Sequence, residues 1–105
     1  MSRSRVEVLE EFVRNNPNDS FSRYGLAMEY ANAGRQDEAL AIFQELLHLN
    51  PDYAAAYYHA GMLLSRMGRA QEARRILELG LEVTKRIGDW HTHSELEAAL
   101  HDLKV

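Results

Sequence analysis

Cysteine is absent from this 105-residue chain, so disulfides and thiol chemistry are excluded and nothing calls for an oxidising compartment; the cytoplasm is the expected location. There are two prolines, both inside short Asn/Asp-bearing turns, Asn15-Asn-Pro17-Asn-Asp19 and Asn50-Pro51-Asp52. No apolar run is long enough to span a bilayer, and Met1-Ser-Arg-Ser-Arg5 leads straight into an amphipathic pattern without a signal peptide. Alternating strand patterning never lasts beyond a few residues. A glycine-rich phosphate loop and a serine in a nucleophile elbow are also missing, and the carboxylates are dispersed over polar helix faces. No enzyme constellation survives these absences, and no cofactor is expected.

What is present is a soluble-type composition, 46% hydrophobic and 27% charged, which is compatible with one packed domain and not with disorder. The net charge of −4 is uneven: residues 1–52 carry five Arg or Lys against nine Asp or Glu, and the remainder carries seven of each. Arg66, Arg69, Arg74, Arg75, Lys85 and Arg86 give a local basic bias, of which Arg69, Arg74 and Arg75 are expected to form the solvated outer face of the helix over 70–86. An acidic total disfavours nucleic acid as a partner.

The periodicity is helical throughout. Residues 4–15 place Val6, Leu9, Val13, Val8 and Phe12 on one stripe. A second helix is capped by Asp19 or Ser20 and ends at Gly34. A third carries Asp37 and Glu38 in its first turn, where carboxylates favour the helix dipole. Its core face is Ala39, Ile42, Phe43, Leu46 and Leu47. The fourth runs from about Tyr53 to Met67, and the fifth spans about 70–86 and stops at Gly88. The last is capped by Asp89, or by Thr92 in a capping box with Glu95; its apolar face is Leu96, Ala99, Leu100 and Leu103.

Two of these segments repeat. Ala27 and Gly61, Gly34 and Gly68, Ala39 and Ala73, and Phe43 and Leu77 are each 34 positions apart. A fixed period of that size with helical patterning inside it signals stacked helix pairs. Small residues at 27/61 and 39/73, and Gly80 in place of Leu46, fall where paired helices must approach closely. Pro17 lies 34 before Pro51, which puts Leu9 in register with Phe43.

These residues resemble the tetratricopeptide repeat (TPR) family. Leu26-Ala27, Tyr30, Gly34, Ala39, Phe43 and Pro51 hold its signature places in one unit. Ala60-Gly61, Leu64, Gly68, Ala73 and Leu77 hold them in the next. Two departures occur: Arg23 stands where a large aromatic is usual, and Lys85 replaces the proline, so the fifth helix should outrun the third. The resemblance implies an all-α fold, an α-α superhelix of antiparallel helix pairs with about six helices. The single domain would comprise a half-repeat helix over 4–15, repeats over 20–51 and 54–86, and a capping helix over 89–103.

It also implies a concave groove, lined by the first helix of each pair, for a peptide or helix of a partner protein. Tyr24, Met28 and Asn32 form a ridge beside the core face of the second helix, and Tyr58, Met62 and Arg66 do so on the fourth. Phe21 is expected at the mouth. Tyr24, Met28 and His59 fall where a carboxylate clamp would want Lys and Asn, so an apolar or amphipathic partner segment is expected instead of an acidic tail. The alternative is packing or self-association through the same surface, as a homodimer. Neither a membrane nor a metal is expected as a ligand, although His93, Glu97 and His101 share one face of the last helix. Trp90 is expected to staple that helix to the body.

Overall fold

The computed structural model describes residues 2–103. Those residues form six α-helices and no strand. The fold is the expected all-α repeat of helix pairs, and the chain divides into two compact units, one ending at Asn50 and the other beginning at Pro51.

The first unit holds α1 (Arg5–Asn15), α2 (Ser20–Asn32) and α3 (Gln36–Leu49). A capping box starts α1. Glu7 N–H donates to Ser4 Oγ at 3.1 Å, and Ser4 N–H donates back to Glu7 Oε1 at 3.1 Å. Those bonds hold the Glu7 carboxyl below the usual carboxylate range. Of the two candidate caps for α2, Asp19 is the one used, accepting from Phe21 N–H at 3.2 Å. Gly34 then takes φ 78°, the left-handed turn that only glycine enters without strain, and Arg35 N–H closes back on the Tyr30 carbonyl at 2.9 Å.

Close approach of α2 and α3 follows from Ala27 and Ala39, both sealed from solvent, with Leu26, Phe43 and Leu46 filling the space around them. Tyr30 ties α1 to α2 by donating its hydroxyl to Glu10. Burial first, then that bond, raises the Tyr30 phenol to about 12. The α1 stripe is only partly covered. Val13 is buried, but Val8 is 50% exposed and Phe12 47% exposed, because within this unit α1 packs chiefly against α2.

The second unit repeats this plan with α4 (Ala54–Arg66) and α5 (Ala70–Ile87), followed by α6 (Trp90–Asp102). Here the close approach is tighter. A Cβ built on Gly61 would lie 2.4 Å from Leu77 Cδ2, and one on Gly80 would lie 2.7 Å from Tyr57 Cβ and 3.0 Å from Leu96 Cδ1. Only glycine lets α5 sit so near both α4 and α6. At 18 residues α5 exceeds the 14 of α3, as the missing proline at position 85 implied. Asp89 caps α6, accepting from Thr92 N–H at 3.1 Å; Thr92 is therefore not the cap.

Two features recur at the repeat distance. Arg35 and Glu38 form a forked pair, Nε to Oε1 at 2.6 Å and Nη2 to Oε2 at 2.7 Å. Arg69 and Glu72 do the same at 3.0 and 2.6 Å. Each fork spans the first turn of the second helix of its pair, where no side chain caps the helix. The second feature explains Arg23. Tyr57 donates its hydroxyl to the Pro51 carbonyl at 2.6 Å, and Arg23 donates Nη1 to the Pro17 carbonyl, so the departure from an aromatic keeps the bond. Arg23 is 14% exposed, reaches Glu45 at 3.6 Å and leaves its Nε buried without a partner.

Candidate interaction site

The ridge on α2 lies in the first unit. Tyr24 and Met28 are half-buried and Asn32 is exposed at the helix end. The Tyr24 ring meets Phe43 edge-on, centroids 6.5 Å apart, which fixes its plane against the core while leaving part of the ring to solvent. Phe21 does not join that ridge. It is 74% exposed and opens onto a separate dent of about 260 Å³ with Leu9, Phe12 and Gly25, against α1.

The corresponding ridge on α4 lies in the second unit. Tyr58 and Met62 are half-buried and Arg66 is exposed. The Tyr58 ring stands edge-on to His59 at 5.1 Å. Both Tyr58 and Met62 form one wall of a cleft of about 270 Å³, whose far wall is α6. Arg66 is not among its lining residues. The α6 wall is Glu95, Ala98, Ala99 and Asp102, and Leu77 and Leu103 complete the apolar lining. Sequence patterning had put Ala99 on the buried face with Leu96; Leu96 is sealed, but Ala99 borders the cleft. The spacing 95, 98, 99 and 102 was the available signal, since positions three, four and seven apart share a helix face.

His59 is half-buried, and that burial lowers its pKa, with Glu95 opposing and Arg66 reinforcing the shift. Glu95 Oε1 lies 3.8 Å from His91 Nε2, and Asp102 Oδ1 lies 3.5 Å from His101 Nδ1. Among the described residues neither carboxylate is paired with Lys or Arg.

The remaining sequence candidates are placed as follows. His93 turns its Nδ1 toward α5, 3.0 Å from Thr84 Oγ1, with Nε2 3.8 Å from Glu97. Among the described residues no group of three or more His, Cys, Asp or Glu is gathered for a metal. Trp90 is 57% exposed and meets His93 edge-on at 5.1 Å. It opens α6 without being buried, because Leu96 provides the anchor that Trp90 was expected to supply. Arg69 is engaged with Glu72, and Arg74 and Arg75 lie on the exposed side of α5. No helix among the described residues is long and apolar enough to cross a membrane.

Helix pairs at a fixed period, with sealed small residues at each crossing and half-covered aromatic and Met side chains on the first helix, define a helical-repeat interaction scaffold. Residues 30–91, more than half of the chain, match the profile of the tetratricopeptide repeat, and the chain belongs to that family. A TPR repeat-containing protein of Pseudomonas aeruginosa is 26% identical over 98 residues, covering 93% of both chains. A tetratricopeptide repeat domain protein from Salinibacter ruber, solved by NMR, is 39% identical with a TM-score of 0.76, over 80% of this chain and 85% of that one. YrrB, a TPR protein with an unusual peptide-binding site, is 26% identical with a TM-score of 0.79; the match covers 90% of this chain and 45% of YrrB.

Proposed function

We propose that the chain is a non-catalytic module that binds a peptide or helix of a partner protein, using the Tyr-Met ridges of α2 and α4. The observation that carries this is the state of Tyr24, Met28, Tyr58 and Met62. All four are half-covered, held in place by the core yet not consumed by it. An aromatic ring fixed on one side and a flexible thioether beside it give large apolar contact at small ordering cost. Asn32 and Arg66, each at the exposed end of its own ridge, would anchor polar groups of a bound segment. The peptide-binding site named for YrrB supports the same use of a related chain. The expected partner segment is apolar or amphipathic, with neither nucleic acid nor membrane as the target. The cytosol is the proposed compartment for a chain without cysteine.

Affinity capture with the intact chain and with Tyr24→Ala/Tyr58→Ala/Met62→Ala tests the proposal. The variant should melt cooperatively and lose the partners that the intact chain retains. Identical partner lists would overturn the ridge assignment.

A second function, self-association, is favoured by one separate observation. Phe12 and Phe21 are exposed together around the dent beside α1, an apolar surface that a second copy would cover. Light scattering across a wide concentration range decides it; a constant monomer mass rules the dimer out.

A further inference from the structure

The cleft between α4 and α6 carries more information than its apolar lining. We infer that it takes an extended partner segment in which one apolar side chain is flanked on both sides by Lys or Arg. This rests on the proposal that the Tyr58–Met62 ridge, one wall of the cleft, binds a partner, and adds what that partner must carry.

Glu95, Ala98, Ala99 and Asp102 form one stripe with a carboxylate at each end and two methyl groups between. Seven residues at the helical rise separate the two carboxylates by about 10 Å along the axis. Met62, Gly61 and Leu77 share the lining with these methyl groups. The centre of the cleft is therefore apolar and shallow-walled, and a space of about 270 Å³ holds one or two side chains, not a helix. An extended chain advances about 3.3 Å per residue and sends alternate side chains to the same face. Residues two before and two after a central apolar anchor thus reach the two carboxylates, given the flexible stems of Lys and Arg.

The charges at the cleft favour a cation. Among the described residues, those lining the cleft supply two carboxylates and no Lys or Arg. Among the described residues, Arg66 ends α4 and lies outside the lining. His59, which feels Glu95, is held toward its neutral form by burial, so it offsets little of that charge near pH 7. Both carboxylates are solvent-accessible, with side-chain exposures of 44% and 83%, so they act on selectivity and encounter more than on raw affinity.

The test is selection from a random peptide display library on the full chain, in parallel with Glu95→Lys/Asp102→Lys. Peptides from the intact chain should carry an apolar residue with Lys or Arg about two positions to either side, and should shift the amide resonances of Ala98 and Ala99. The charge-reversed chain should exchange that preference for Asp and Glu. Should the reversed chain fail to melt cooperatively, Glu95→Gln/Asp102→Asn replaces it, with loss of the basic preference and about three- to tenfold weaker binding of the selected peptides. Apolar peptides enriched without charge bias would overturn the inference and leave the ridge proposal standing. No enrichment on a natively melting chain would overturn both for this cleft.

Discussion

Replacing glycine by alanine inside a helix should have opposite signs at two positions of this chain. Alanine is favoured over glycine in a helix interior by about 0.8–1.0 kcal/mol. At Gly25 a new Cβ would find Leu9 Cδ2 at 3.8 Å, ordinary contact, so Gly25→Ala should gain about 0.5–1 kcal/mol. At Gly80 the same methyl would meet Tyr57 Cβ at 2.7 Å and Leu96 at 3.0 and 3.2 Å. Tyr57 Cβ moves only with α4, and Leu96 is sealed, so neither neighbour yields easily. Overpacking of this kind costs about 1–3 kcal/mol, and with the propensity gain subtracted Gly80→Ala should lose up to about 2 kcal/mol. A domain of this size shifts its midpoint by about 4–8 °C per kcal/mol, so calorimetry or circular dichroism melts resolve both changes. A Gly80→Ala protein melting at or above the parent would refute the claim that α5 is pressed against both α4 and α6.

Three further outcomes are expected. Ala39→Leu and Ala73→Leu should each destabilise by about 1–3 kcal/mol, since both alanines are sealed at helix crossings; unchanged midpoints would remove that assignment. Asp89→Ala should lose about 1 kcal/mol at neutral pH through the missing cap of α6. Hydrogen bonds from Thr92 hold the Asp89 carboxyl below its unfolded value of about 3.9, so this stabilisation is complete above that value and fades as pH falls through the lower folded pKa. Parent and variant midpoints should therefore converge in acid; a constant gap from pH 7 to pH 2 would contradict the cap. Finally, Thr84→Val keeps the shape but removes the buried hydroxyl that donates to the Gly80 carbonyl at 2.8 Å and meets His93, and should cost about 1 kcal/mol in urea titration. An unchanged midpoint would show that the α5–α6 contact does not depend on it.

Helix number, order and termini were legible because local chemistry decides them. Gly34, Gly68 and Gly88 end α2, α4 and α5 in one left-handed conformation, and the spacing of Ala27, Ala39 and Phe43 marks the crossing that the structure shows. The Tyr-Met ridges were legible as residues left over from the core face. Other features depend on what lies opposite in space, which periodicity does not encode. Phe12 sits on a proper apolar stripe and is still half exposed, because nothing in its own unit covers that side of α1. Trp90 looked like an anchor by type, but its position at the first turn of α6 leaves it outside the contact that Leu96 makes. The cleft on α4 needed the placement of α6: spacing put Glu95 and Asp102 on one face of the last helix, but not that this face borders α4.

The pairing of Arg23 with Tyr57 has a consequence for how such chains are found and altered. The loop entering each first helix asks for a proton donor at a set reach from one carbonyl, and a guanidinium or a phenol can answer. A search that scores side-chain identity would count a defect at position 23 where the geometry is intact. Libraries built on this scaffold can therefore vary formal charge at that slot, provided the donor still spans the gap.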